Sequence, residues 1–425
     1  MRTLSYGSSG PSVQLLQLAL NRAGCGPLFK DGRFDGATRQ ALIRFQTAMG
    51  LRADGTAGPA THRALLPWYT GYRIYQVRRG DSLWSVAGRF GSSEAAILTA
   101  NPGIQPQNLQ IGAQLIVPLS FPVVPTSIAY SSVLVGYCVR GLAARYPFIS
   151  AGEIGRSVMG RPIWSMTLGR GANRVAYNAS HHANEWITTP ILLRYVEELA
   201  SACATGRELF GTSANEIFHY TTLCVVPAVN PDGIDLVTGE LQSGEYYASA
   251  RAIGEKYPQF PFPAGWKANI RGVDLNLQYP AGWEQARKNK FAQGIISPAP
   301  ADFVGAAPLI APESRAMYDF TLSFDPALIL AYHTQGEVIY WRFLDYEPSH
   351  ARQIADAFSE VSGYAVEDTP YASGFAGYKD WFIQDFDRPG YTIEAGLGTN
   401  PLPVSEFDAI YEKNAGLLTL GLLVT

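Results

Sequence analysis

The chain has 425 residues, 47% hydrophobic and 16% charged, which is ample apolar material for two or three folded domains. With 33 basic against 36 acidic residues the formal net charge is -3, so the basic surplus of a nucleic-acid or anionic-membrane binder is missing. No apolar run reaches the roughly 18 residues of a membrane span, and residues 1–10 lack the apolar stretch of a secretory leader, so no signal peptide is expected.

Residues 1–68 contain a short internal repeat. Asp31-Gly32, Thr38 and Ala41-Leu42 recur as Asp54-Gly55, Thr61 and Ala64-Leu65, each copy a DG turn followed by a threonine suited to cap a short helix. Residues 38–49 place Ala41, Leu42, Phe45 and Met49 on one helical face, and Val13, Leu16, Gln17 and Leu20 form another helix after Gly10-Pro11. His62, in the second copy, is expected at the surface. This small helical bundle has no cluster of ionisable groups. Its G-x-x-V-x-x-L-Q, DG-x-F and F-Q-x-x-x-G-L-x-x-DG pattern resembles the peptidoglycan-binding-like domain.

Residues 74–119 form a second module of βααβ type. Tyr75-Gln76-Val77 reads as a strand, Gly80 to Leu83 as a turn, and residues 84–90 as a helix closed by Gly91. A second helix over 94–100 stops at Asn101-Pro102, and residues 109–118 supply a turn and a closing strand. With GDSLW, ANP and NLxIGxxLxVP in register, the module resembles the LysM domain, which implies binding of N-acetylglucosamine-containing glycan.

Residues 121–125 are a proline-punctuated linker, and residues 126–425 show βα alternation. Strands are expected over 174–179, 222–229, 327–332 and 391–393, and an amphipathic helix over 189–202. The fold class is α/β, with a mostly parallel or mixed sheet. Four cysteines, Cys25, Cys138, Cys203 and Cys224, are scattered without CxxC spacing and read as buried free thiols; Cys203 and Cys224 flank a helix-to-strand connection where a pair could form.

Of the six histidines, the informative ones lie in Ser180-His181-His182-Ala183-Asn184-Glu185-Trp186, between a strand and a helix. Open α/β sheets put their sites at the carboxyl ends of strands. A histidine and a glutamate three residues apart turn toward one point, and catalytic zinc needs three nitrogen or oxygen ligands plus an open position. His333 ends an apolar strand and is placed to be the third ligand. Glu394, after Tyr391-Thr392-Ile393, is placed as a base that takes a proton from water and passes it to a leaving nitrogen.

This ordered set resembles the carboxypeptidase A-like zinc metallopeptidase family, which implies a mixed sheet flanked by helices and one zinc per chain. His182, Glu185 and His333 match the family's ligands, and Glu394 in YTIEAG its catalytic glutamate. Asn230-Pro231-Asp232-Gly233 matches its NPDG turn. Residues 272–276 match GVDLN, whose Asp274 would orient a zinc histidine and whose Asn276 would contact substrate. The family's next residue is an arginine that clamps a terminal carboxylate; here it is Leu277, so an endopeptidase is favoured over an exopeptidase. Lys267 and Arg271 are both candidates for holding the carbonyl oxyanion, with Arg271 favoured for its permanent charge. Lys379, before Asp380-Trp381, falls where the family reads the leaving-side residue and would suit a carboxylate of diaminopimelate. Tyr371 resembles the mobile tyrosine that covers substrate.

Together the modules resemble the γ-D-glutamyl-L-diamino acid endopeptidases. The resemblance implies a zinc-dependent peptidoglycan hydrolase that cuts the stem peptide between γ-D-glutamate and meso-diaminopimelate or lysine. Its expected partner is peptidoglycan, both glycan and stem peptide, with no nucleic acid and no membrane span. The expected location is the cell wall or spore, or the cytoplasm of a sporulating cell. The rivals are a zinc carboxypeptidase trimming the stem's terminal residue and a non-catalytic wall-binding protein. A glycosidase would need a carboxylate pair flanking a sugar, and none stands out.

Overall fold

The computed structural model describes residues 1–424; Thr425, the last residue of the expected catalytic domain, lies outside the described residues. The chain divides into two compact units, Met1–Ala129 with Val133–Ser150, and Tyr130–Ser132 with Ala151 onward.

The first unit opens with helices Pro11–Arg22, Gly36–Ala48 and Pro59–Thr70. The sequence repeat is a hydrogen-bonding repeat. The buried Gln17 amide donates to Asp31 Oδ1 (2.8 Å), Arg33 O (3.0 Å) and Thr38 Oγ1 (3.2 Å), and accepts from the Gly32 N–H (3.0 Å). Gln46 repeats the pattern with Asp54 Oδ1 (3.2 Å), Thr56 O (3.0 Å), Thr61 Oγ1 (3.2 Å) and the Gly55 N–H (2.9 Å). The two threonines are therefore not helix caps. Asp35 caps the second helix through the Thr38 N–H (2.8 Å), Gly58 precedes the third, and both threonines turn inward to the glutamines. Met49, expected on the buried face, closes its helix and is exposed. His62, expected at the surface, is buried, with its ring nitrogens each 3.0 Å from an oxygen, Tyr69 Oη and Arg2 O. It lies two turns from Tyr69 on the inward face of the third helix.

Strands Tyr72–Gln76 and Gln114–Pro118 pair antiparallel beside helices Leu83–Phe90 and Glu94–Ala100. Ser82 and Ser93 accept from the unpaired N–H groups of Ser85 and Ala96 and so start the two helices. Helix Ser132–Arg145 lies beyond the boundary expected at 126, yet most of it packs into this first unit. Tyr137 stacks on Tyr69 at 5.2 Å, and the Arg145 guanidinium donates to the carbonyls of Gly71, Leu119 and Phe121. Gly71 O also accepts from the Leu119 N–H (2.8 Å), and one arginine bonds all three carbonyls where the paired strands end.

The second unit is built on an eight-stranded mixed sheet. Its order is Ala365–Glu367, Val338–Tyr340, Gly390–Glu394, Leu328–His333, Asn173–Ala179, Thr221–Val226, Pro162–Gly169, Ser150–Arg156. The middle four strands run parallel, and Val338–Tyr340 and Pro162–Gly169 pair antiparallel on either side of them. Every residue of Leu328–His333 is buried, as its apolar run predicts. Four strands escape sequence reasoning because they lie toward the sheet's edges, where part-exposed residues break any apolar run. Helices flank the sheet, including Thr188–Thr205, Pro312–Phe324 and Tyr378–Phe386. The NPDG segment is a helix start, not a turn. Asn230 caps helix Pro231–Val237 by accepting from the Gly233 N–H (3.0 Å). All four cysteines are free; Cys224 lies on a central strand, and Cys203 bonds the Ala214 carbonyl instead. Among the described residues no helix is long and apolar enough to cross a membrane.

The repeat makes a stability prediction. Gln46→Ala strands the buried Gly55 N–H and should destabilise the first unit by about 1–3 kcal/mol, read as a lower melting temperature. An unchanged melting temperature would mean that water replaces the amide at no net loss.

Candidate active site at the carboxyl edge of the sheet

The four parallel strands end on one edge, and the site is assembled there. Asn173–Ala179 leads into Ser180, a non-glycine residue at φ 55°. Its N–H is bonded to Thr188 Oγ1 (3.2 Å), and its hydroxyl lies 2.9 Å from the hydroxyls of Thr188 and Thr189. The chain then leaves the sheet through the single 3₁₀ turn Ala183–Glu185. Asn230 braces that turn from behind by donating to the carbonyls of His181 (3.1 Å) and Ala268 (3.0 Å).

His182 Nδ1 lies 3.0 Å from Glu185 Oε1, His333 Nδ1 lies 2.8 Å from Glu185 Oε2, and the two Nδ1 atoms are 3.2 Å apart. Two neutral imidazoles cannot both present lone pairs at that separation; a positive charge between them relieves the repulsion. The three ligand atoms lie within 4.8 Å of one another. Two imidazoles and a carboxylate are the donor set of a catalytic zinc, so these residues fit that ion. On its far side His182 Nε2 is 3.2 Å from Asp274 Oδ1, which orients the ring toward the site. Asp274 is held by the N–H groups of Asn276 and Asp302, both at 3.1 Å.

The electrostatics also ask for a cation. Burial pushes the His182 imidazolium down, but Glu185 and Asp274 outweigh it and raise its pKa to about 10. Burial alone would raise Glu185, yet His182, Lys267 and His333 hold it well below the usual carboxylate range. His181, although adjacent, is not part of this set. It is fully buried, 3.0 Å from Tyr279 Oη, and stacks at 5.9 Å on His333. Burial holds it neutral.

Register places Glu394. It pairs with His333 across adjacent parallel strands, so its carboxylate emerges beside the three donors. Burial raises its pKa, and Glu185 adds to the effect. A cleft of about 430 Å³ opens over these residues, lined also by Lys267, Asp274, Asn276, Leu277, Lys379 and Asp380. That volume suits a peptide-sized ligand.

The two oxyanion candidates separate here. Lys267 lines the cleft with Nζ 3.2 Å from Glu185 Oε1. Arg271, the favoured one from sequence, is exposed and absent from the cleft, because Asn269 accepts from its N–H and turns the chain outward. Lys379 is buried and paired: Nζ lies 2.7 Å from Asp380 Oδ1 and donates to Arg342 O (2.6 Å). Asn276 accepts from the Tyr378 N–H (3.0 Å) and so fixes the helix that carries this pair. Tyr371 is exposed and packs edge-to-face on Phe375 at 4.9 Å, outside the cleft lining. Sequence reasoning missed Lys290 and Asp302, which line the cleft as an ion pair at 2.6 Å. No motif marks them, and the helix that holds Lys290 reads as a solvated one.

Known proteins account for this geometry. Residues 137–415 match the zinc carboxypeptidase family. The chain belongs to that family. It is a zinc metallopeptidase, and its N-terminal segments match a peptidoglycan binding domain (9–65) and the LysM domain (75–118). It is 43% identical over 398 residues to gamma-D-glutamyl-L-diamino acid endopeptidase 1 of Lysinibacillus sphaericus, covering 81% of this chain and 98% of that protein. It is 42% identical over 276 residues to the uncharacterized protein YqgT of Bacillus subtilis (strain 168), covering 64% and 72%. In fold it is similar to the carboxypeptidase A of Helicoverpa armigera, with a TM-score of 0.53 at 18% identity, covering 83% and 97%.

Two substitutions separate metal binding from chemistry. His333→Ala should lose both stoichiometric zinc and activity, while Glu394→Gln should keep zinc and lose at least about 100-fold in turnover. Elemental analysis beside kinetics reads both. Full zinc occupancy in His333→Ala, or near-normal turnover in Glu394→Gln, would contradict the assignment.

Proposed function

We propose that this zinc metallopeptidase hydrolyses the peptidoglycan stem peptide at the amide between γ-D-glutamate and a diamino acid. The observation that carries the reading is Leu277 in the cleft wall, with no arginine among the cleft's described lining residues. A free C-terminal carboxylate is ordinarily gripped by a bidentate guanidinium. An apolar residue in that place leaves the chain free to continue beyond the scissile bond. The name of the 43% identical relative specifies the same bond.

His182, Glu185 and His333 would hold the zinc, which when bound lowers the pKa of water and polarises a carbonyl. Glu394 accepts the proton of the attacking water and returns it to the departing nitrogen. Lys267 aims its ammonium at the oxygen on which negative charge develops. Asp274 keeps the His182 ring oriented. The neighbouring Lys379 and Asp380 offer one cation and one anion, which match the carboxylate and ammonium at the far end of diaminopimelate. The two N-terminal modules hold the enzyme on wall glycan and raise the local concentration of stem peptide. That tethering supports a site of action on the cell wall.

Digestion of purified muropeptides followed by mass spectrometry tests the reading. On stems of four or more residues the expected products are fragments ending in γ-D-glutamate and fragments beginning with the diamino acid; release of the single residue that follows the diamino acid would indicate the carboxypeptidase instead. In the same assay Lys379→Met should lower kcat/KM for the diaminopimelate tripeptide by about 5- to 150-fold and spare its lysine analogue. Equal losses on both would make Lys379 structural.

A further inference from the structure

Helix Trp283–Ala292 is strongly polar, and its Arg287 and Lys288 face solvent. Lys290 does not. Its side chain is only 9% exposed and its Nζ is 2.6 Å from Asp302 Oδ1 in the cleft wall. Burying an ammonium is unfavourable without full compensation, and one carboxylate satisfies only part of its three donors. Asp302 is itself a non-glycine residue at φ 68°, a conformation held by its bonds. Its N–H donates to Asp274 Oδ2 (3.1 Å) and its carboxylate faces Lys290.

The position of this pair indicates what it meets. The backbone N–H groups of Lys267 and Ala268 donate to Pro300 O at 2.8 and 2.9 Å, so residues 300–302 share a wall with Lys267. In the proposed reaction Lys267 faces the scissile carbonyl, which belongs to the acyl group. Lys379 and Asp380 serve the leaving group. A γ-linked glutamyl residue carries a group that an ordinary peptide residue lacks on the acyl side: a free α-carboxylate, two methylenes away from the scissile carbonyl.

We infer that Lys290, oriented by Asp302, is a specificity-determining residue that receives the free α-carboxylate of the γ-linked D-glutamyl residue. This inference rests on the γ-D-glutamyl reading above. A pair that served only to tie the helix to residues 300–302 would be indifferent to the substrate's charge. Lys290 discriminates between a carboxylate and its neutral amide.

The test uses the zinc-loaded full chain and two soluble tripeptides, L-Ala-γ-D-Glu-diaminopimelate and its counterpart with D-isoglutamine, in which the α-carboxylate is a carboxamide. The native enzyme should prefer the glutamate substrate by at least about 10-fold in kcat/KM. Lys290→Met should erase that preference, mainly by raising KM for the glutamate substrate. The isoglutamine substrate should change less than about threefold, and zinc content should be unchanged. Lys290→Arg should restore part of the preference. Equal cleavage of both tripeptides by the native enzyme overturns the inference while leaving the bond assignment intact, even if Lys290→Met does not fold. Equal losses on both substrates in Lys290→Met overturn it as well. Cleavage of neither tripeptide by the native enzyme overturns the bond assignment, and this inference with it.

Discussion

Two imidazole nitrogens 3.2 Å apart beside a buried carboxylate are the constraint around which the second unit is arranged. The arrangement is unfavourable unless positive charge sits among the three groups, and each surrounding feature follows from that demand. Asp274 presses His182 toward the site, and Lys267 partly offsets Glu185. Asn230 braces the turn from below, and the Ser180 step is held by two threonine hydroxyls.

The cleft shows a second theme, cations kept beside anions. Lys379 lies with Asp380, Lys290 with Asp302, and Lys267 with Glu185. Unpaired lysines would draw any anion indiscriminately, whereas paired ones present directed donors with little net field. The stem peptide combines several carboxylates with an ammonium. A wall of ion pairs is complementary to such a ligand in a way that a plain basic patch is not.

The first unit meets a different difficulty, because small domains have little core with which to offset chain entropy. Its answer is local and repeated: a buried glutamine amide that satisfies the backbone of a DG loop and the hydroxyl of the next helix. Four hydrogen bonds for one side chain make each loop rigid without a large apolar contribution. The second module uses serine caps on two short helices and an asparagine, Asn101, that bonds both ways to Ile116 across to the closing strand.

Much of this was legible in the sequence because the determinants are local. Apolar runs give the buried parallel strands, DG turns and Asn101-Pro102 set element boundaries, and HxxE within one turn needs no distant partner to be recognised. The order of motifs pointed to His333 and Glu394, since a residue that ends a buried parallel strand emerges at the same edge as its neighbours. Tertiary structure alone decided the rest. The placement of Lys267 in the cleft and of Arg271 outside it depended on which way Asn269 turns the backbone, and that of Tyr371 outside the cleft lining on its packing against Phe375. The burial of His62 depended on the long-range carbonyl of Arg2, and the burial of Lys290 on a carboxylate in a separate loop. Side-chain direction at such positions is set by partners far away in the chain, and no local period or spacing in the sequence encodes them.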